Sequence, residues 1–439
     1  MKTILKIIFF GIIAGATYKY LNERNINVVE KSREAIEWLE LKTKEIKAAG
    51  DEKTSPPASN DIGTRSANNI NSFTALNKKA SASPAPSHED VQPEIPAGIQ
   101  PAQSVNSATD ESEAEEYLIP EKPSSATPGF PELDKYAKNI PAQSEPSLEN
   151  LAASLISHAS NDLEKTRLIF TWIATHIAYD DNGFNTGNYS DTKAESVLRN
   201  RVSVCQGYSD LFLALGKLAG LEIVTITGYS KGITYSPGST LTDTDHAWNA
   251  VKIDGQWKLF DVTWAAGYGK GVNGRLVTVM QFNDYWFDTR SDEFIFSHLP
   301  SDEQWQLNDT RISKEQFERL PYVSSLFFKM GFNGNYCYPS ALNGTINELP
   351  DTYYVNGDIR MVSMPYDKMI RSGKTIKVRV KSDKAVKIAY SNNGRITEMA
   401  KDGNEFSAII RTTPGSLSLM ANFGGDAMMY DTFLEYVVE

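Results

Sequence analysis

Between His246 and Trp264 the chain alternates apolar and polar residues on either side of Asp254-Gly255. Asp-Gly is a strong signal for a two-residue hairpin turn, because both central residues must take positive φ. The expected hairpin therefore runs out from His246 to Ile253 and back from Gln256 to Trp264, with Ile253 facing Gln256. In that register His246 faces Thr263 and Asp261 faces Trp248, so His246 and Asp261 are diagonal neighbours on one face. Cβ atoms so related lie roughly 7–8 Å apart or less, close enough for an imidazole to bond a carboxylate. A one-residue bulge at the turn would put the two on opposite faces. By the same parity Trp248 and Trp257 share the face of His246, while Trp264 points away.

Upstream, Cys205 stands where an irregular stretch meets a helical pattern: Tyr208, Leu211, Phe212, Leu215, Leu218 and Ala219 recur at helical spacing, and Gly220 closes the run as a cap. Cys205 then occupies the first turn, where unpaired N–H groups and the positive end of the dipole favour a thiolate. A cysteine there, with a histidine and an aspartate side by side on a later hairpin, has the makings of an activated nucleophile.

Three blocks, Arg201-Val202-Ser203-Val204-Cys205-Gln206-Gly207-Tyr208, His246-Ala247-Trp248-Asn249 and Asp261-Val262-Thr263-Trp264, resemble the signature blocks of the transglutaminase-like superfamily. The likeness extends upstream to the Trp172-Ile173 helix and Ile177-Ala178-Tyr179-Asp180. Downstream, Phe294-Ile295 through His298-Leu299-Pro300 and Trp305-Gln306-Leu307 are similar to a segment of the kyphoscoliosis-peptidase and cytokinesis-associated branch. The resemblance implies a papain-like architecture and a Cys-His-Asp triad, carried over to Cys205, His246 and Asp261. Gln206, Tyr229, Trp248 and Trp264 are candidates for the substrate cleft, and the loops Asp180 to Asp191 and Tyr229 to Thr244 for its walls. Arg201 could pair with a carboxylate or lend positive potential.

Around this core the composition shifts. Residues 1–22 hold an apolar run flanked by Lys2, Lys6 and Lys19, read as a signal peptide or a membrane anchor; Ala14-Gly15-Ala16 favours cleavage, and the basic residues after it argue against simple export. Residues 23–49 read as a charged helix, and residues 50–145, rich in Ser, Pro, Ala, Asn and Glu, as a disordered linker in which Tyr117-Leu118-Ile119 is a sticky spot. A cysteine-hydrolase-like α+β domain is expected over residues 146–335. It opens with helices through Leu148 to Ile156 and from Asn161, where Glu164 suggests a capping box, and Ser313 with Gln316 suggests another. Residues 343–439 alternate in short strands with turns at Asn392-Asn393-Gly394 and Asp402-Gly403, as in a small immunoglobulin-like β-sandwich of accessory role.

The net charge of −11 argues against nucleic acid as a partner. Five histidines without His-Glu-x-x-His or Cys-x-x-Cys give no metal motif, and no cofactor is expected. Cys205 and Cys337 are the only cysteines, too few for a disulfide framework. The expected function is thiol-dependent acyl transfer on protein or peptide amides, by hydrolysis or transamidation, on a chain tethered to or exported through a membrane of the cell envelope. The rival is a catalytically silent, membrane-tethered protein-binding module on the same fold.

Overall fold

The structure, a computed structural model, describes residues 114–120, 130–141, 147–424 and 429–439. The segment 1–22, the charged helix 23–49 and most of the linker lie outside the described residues. Among the described residues no helix is long and apolar enough to cross a membrane.

Helices α1 (Pro131–Asn139), α2 (Leu148–Ile156) and α3 (Asp162–His176) lead into the core. Asn161 caps α3 by accepting the Glu164 N–H at 2.9 Å, and the Glu164 carboxylate reaches back to the Ser160 N–H at 2.7 Å. The capping box therefore closes one residue earlier than expected. Leu168, Ile169, Phe170, Trp172 and Ile173 are fully buried because α3 is packed by α1, α2 and later elements on several sides. Arg167 holds α1 through a two-pronged bond to Asp134, both prongs 2.6 Å, a geometry that only a planar guanidinium supplies. Residues 130–141 and 114–120 are thus ordered where the sequence suggested linker.

Strand β1 (Glu115–Glu116) belongs to the C-terminal sheets described below. Strands β2 (Ala178–Tyr179) and β3 (Val202–Ser203) pair in parallel and flank α4 (Asp181–Thr186) and α5 (Ala194–Asn200). Helix α6 (Cys205–Leu218) follows, and Gly220 at φ 77° ends it as the sequence suggested. It packs on an antiparallel sheet of β4 (Glu222–Ser230), β5 (His246–Ile253), β6 (Gln256–Phe260), β9 (Phe287–Thr289) and β10 (His298–Pro300), in the order β10-β4-β5-β6-β9. A short helix α7 (Val262–Ala266) and the hairpin β7 (Gly267–Val272) and β8 (Arg275–Met280) lie between β6 and β9.

The C-terminal region is β-rich. Strands β11 (Asp351–Thr352), β12 (Arg360–Ser363), β13 (Met369–Ile370), β14 (Thr375–Lys381), β15 (Lys387–Asn392), β16 (Arg395–Glu398), β17 (Ala400–Asp402), β18 (Glu405–Arg411), β19 (Gly415–Asn422) and β20 (Asp431–Val438) form two sheets. The turns at Asn393-Gly394 and Gly403 fall where the alternation placed them. Two features depart from the sequence reading. First, β1 completes an edge: Glu115 and Glu116 pair in parallel with Ile376 and Lys377, Ile119 is buried, and Leu118 bridges Ser363. The acidic side chains meet a basic strand, Glu115 on Lys374 at 2.5 Å and Glu116 on Arg379 at 3.2 Å. Second, residues on either side of the expected boundary near 335–343 share one core. Phe296, Phe317, Phe327, Phe332 and Cys337 pack in the same cluster as Ile376, Phe406, Leu419 and Tyr436. The capping box at Ser313 and Gln316 is present as expected.

Candidate active site

The hairpin turn forms as its residues require, with Asp254 at φ 50° and Gly255 at φ 77°. The ladder keeps the expected register from Ile253↔Gln256 to Asn249↔Phe260. There it stops. The return strand was expected to run on to Trp264, but Asp261 instead caps α7, its Oδ1 accepting the Trp264 N–H at 2.9 Å. His246 and Asp261 still meet, with His246 Nε2 on Asp261 Oδ2 at 2.7 Å. The neighbourhood was legible, but a helix cap rather than ladder parity delivers the carboxylate.

The same turn of helix corrects the tryptophans. Trp264 does not point away: its ring lies 5.3 Å from that of His246, because one residue of helix rotates a side chain about 100° where a strand would flip it. It is half-buried beside the histidine and keeps its standing as a cleft candidate. Trp248 lies under His246 but is 1% exposed, a core residue rather than a cleft wall. Trp257 sits away at the turn end and packs on Trp305. Tyr229 packs with the C-terminal core cluster instead of facing Cys205, and Gln206 directs its amide along α6 to Asp210 at 2.9 Å. Arg201, at φ 59°, lies over the Trp172 ring at 4.5 Å rather than on a carboxylate. His176, one turn further along the same helix, also stacks on Trp172, at 4.8 Å.

Cys205 is the first residue of α6, and the preceding Val204 offers no side-chain cap, so no hydroxyl or carboxylate consumes the first-turn N–H groups. Cys205 is 5% exposed, Cys337 is fully buried, and neither is in a disulfide. The His246 ring lies beside the Cys205 thiol, a contact that favours the charged ring. Since His246 Nε2 is engaged with Asp261, Nδ1 is the ring nitrogen left for the sulfur. Burial works against a charged ring here, but the Asp261 carboxylate and then the Cys205 contact outweigh it and hold the imidazolium well above the usual histidine range. Burial likewise opposes ionisation of Asp261, and the charge and hydrogen bond of His246 with the bond from His298 overcome it, keeping the carboxyl well below its usual range.

The rim is knitted together. Asp181 binds both the N–H and the hydroxyl of Thr278, at 2.8 and 2.6 Å, and the Asn185 amide pairs with both backbone groups of Leu276 at 2.8 Å. The glycine- and asparagine-rich loop expected as a wall is therefore fixed to the β7–β8 hairpin. Tyr179 is half-buried, and its burial chiefly pushes the phenol well above the usual tyrosine range.

His298 had no assigned role in the sequence. Its Nε2 reaches the same Asp261 Oδ2 as His246, at 2.9 Å. Only non-local pairing reveals this: His298↔Ser230 on one side of β4 and Gly228↔His246 on the other put both histidines on one face of the sheet. His246, Asp261 and His298 also bring three metal-ligating groups within 4.8 Å. Their N···O separations of 2.7 and 2.9 Å are hydrogen-bond lengths, whereas two ligands on a tetrahedral zinc stand roughly 3.3 Å apart. Protons join them as they stand.

Residues 149–262, which include Cys205, His246 and Asp261, match a family model described as the transglutaminase-like superfamily. Human kyphoscoliosis peptidase is 36% identical over 203 residues, covering 46% of this chain and 30% of that protein. Hillarin of Drosophila melanogaster is 32% identical over 222 residues, covering 46% of this chain and 26% of its own length. Cytokinesis protein 3 of Schizosaccharomyces pombe is 25% identical over 211 residues, covering 46% of this chain and 22% of that protein. The chain thus spans less than a third of each of these relatives. It carries a transglutaminase-like core of mixed α and β structure, similar in sequence to kyphoscoliosis peptidase and cytokinesis protein 3, followed by a β-rich region.

Proposed function

We propose that this transglutaminase-like domain performs thiol-dependent acyl transfer on protein or peptide amides, with Cys205 as nucleophile, His246 as proton carrier and Asp261 as its orienting carboxylate. One observation carries the reading: a single imidazole bonds a buried carboxylate at 2.7 Å and lies beside the thiol at a helix tip. In this mechanism the thiolate attacks an amide carbonyl, and first-turn N–H groups of α6 stabilise the oxyanion. The C–N bond then breaks, His246 protonates the departing amine, and a thioester remains on Cys205. Water, giving an acid, or a second amine, giving a new amide, resolves it. The name of the human relative, a peptidase, supports hydrolysis as the first activity to assay. The C-terminal sheets we read as an immunoglobulin-like accessory domain. Tethering to the cell envelope through residues 1–22 is part of the same proposal and rests on the lysine-flanked apolar run.

A second reading, a silent protein-binding module, draws on the 5% and 7% exposure of Cys205 and His246, which leaves little room for a substrate unless the rim moves. One experiment separates the two. The full chain is treated with iodoacetamide at pH 6, and Cys205 is followed by peptide mass spectrometry, alone and after incubation with peptide amides. An enzyme labels quickly, slows about tenfold or more on His246→Ala, and shows a trapped acyl mass on Cys205. Slow labelling that ignores His246, with no adduct, leaves only the binding module.

A further inference from the structure

We propose that His298 is a positioning residue of this site: a neutral imidazole that gives Asp261 Oδ2 a second hydrogen bond and fixes the carboxylate under His246. The inference rests on the reading of Cys205, His246 and Asp261 given above, and it concerns a residue beyond the matched span 149–262.

Asp261 is fully buried. A buried carboxylate is costly unless its lone pairs are filled. Three donors fill them: the Trp264 N–H on Oδ1 at 2.9 Å, and His246 Nε2 and His298 Nε2 on Oδ2 at 2.7 and 2.9 Å. The two imidazoles differ in what surrounds them. His298 is enclosed by the rings of Phe294, Trp264, Trp248 and Trp286, with centroids 4.0, 4.4, 5.1 and 5.3 Å away. That apolar cage keeps it uncharged, and burial takes it down to about 4 even though the Asp261 bond pulls the other way.

A neutral ring has one N–H, and an ionised carboxylate only accepts, so the proton sits on Nε2. Nδ1 then accepts the Ser297 hydroxyl at 2.8 Å, the shorter of that hydroxyl's two contacts, the other being Phe294 O at 3.3 Å. The division of labour follows. His246 carries the charge that the chemistry needs, and His298 contributes a donor without a competing charge. Were both rings charged, they would repel at a centroid distance of 5.3 Å. Were His298 absent, Asp261 would lose a charge-assisted bond and could turn or take a proton.

The test uses the full chain and two substitutions. His298→Gln keeps an N–H donor, and His298→Phe keeps the ring volume and stacking but removes the donor. The rate of Cys205 alkylation is recorded from pH 4 to 8 for each and for the wild type. Acid quenches the reaction by protonating the thiolate beside charged His246, and a carboxylate held by one donor fewer supports that ion pair less well, so loss of the second donor moves the acid limb upward. For His298→Phe the expected shift is about one to two pH units, the worth of one charge-assisted hydrogen bond. His298→Gln should stay within about half a unit of the wild type on the same scale. A His298→Phe profile that overlays the wild type overturns the proposal, as does equal loss in both variants, which marks a merely structural ring. If His298→Phe does not fold, ring-nitrogen NMR of the 15N-histidine-labelled wild type decides. A neutral Nε2–H tautomer of His298 at pH 6 supports the proposal, and a charged ring or an Nδ1–H tautomer ends it. A wild type whose Cys205 ignores His246→Ala defeats the proposed function instead, while the NMR still reports on His298.

Discussion

Gly207→Ala sets two forces of known size against each other two residues beyond the sulfur. Alanine is favoured over glycine within a helix by about 0.8–1 kcal/mol, so propensity alone predicts a more stable protein. The packing predicts the reverse. A Cβ at 207 would overlap Ser203 Oγ and stand 2.8 Å from Val197 Cγ2 and 2.9 Å from Ser203 Cβ, where ordinary contact begins at 3.4 Å. Neither neighbour can yield cheaply. Ser203 is fully buried on the strand paired with Tyr179, and Val197 is fully buried on α5. Relief requires the first turn of α6 to move by about 0.5 Å, and overpacking of this kind costs about 1–3 kcal/mol. The expected net effect is a loss of about 1–2 kcal/mol in urea unfolding. Cys205 moves with the turn, so its alkylation at pH 6 should slow by about tenfold. Ser203→Gly on the same background removes two of the three clashes, and little is lost with it because the Ser203 hydroxyl has no partner. That double variant should regain most of the stability and rate. Gly207→Ala equal to or better than the wild type in both assays would refute the packing argument.

Two further outcomes follow from the charges. A buried neutral histidine has a lowered folded pKa, so its contribution is whole above the unfolded value of 6.5 and is lost as pH falls toward about 4. The raised His246 contributes constantly below 6.5 and the lowered Asp261 fades only below 3.8, so the window between belongs to His298. Between pH 7 and 4.5 the wild type should lose about 2.5 kcal/mol more than His298→Gln, measured by urea unfolding; parallel losses would contradict it. Glu115→Lys with Glu116→Lys turns three cross-strand attractions into repulsions. Exposed pairs are weak, so the cost should be about 1–2 kcal/mol at low salt, seen as faster hydrogen exchange in residues 114–120 and shrinking as salt is added. Exchange that is unchanged at low salt would show that the backbone pairing alone holds the strand.

What could be read from the chain was what local rules control. The Asp254-Gly255 turn, the helix from Cys205 to its Gly220 stop, and the Ser313 cap each depend on residues a few positions apart. So did the nearness of His246 and Asp261, although the ladder ended at Phe260. The alternation beyond Phe260 misled because Asp261 is as good a helix cap as a strand residue, and Trp286 takes its N–H at 3.1 Å. His298 stayed hidden for a different reason. A lone histidine in an apolar run looks the same whether it fills a core or serves a carboxylate, and only the pairing of β10 with β4 distinguishes them. Likewise the Glu115-Glu116 strand looked like solvated linker, since its partner is remote in sequence.

That remoteness has a consequence for how the molecule is made. Glu115 and Lys374 are 259 residues apart. A ribosome adding about 5–20 residues per second needs roughly 13–50 s to span the interval. Before that delay ends the ribosome has already made Cys205, His246, Asp261 and His298, so the cysteine crevice can assemble while the acidic strand waits for its basic mate. This fastening thus joins the first of the described strands, at Glu115, to Lys374, made 259 residues later.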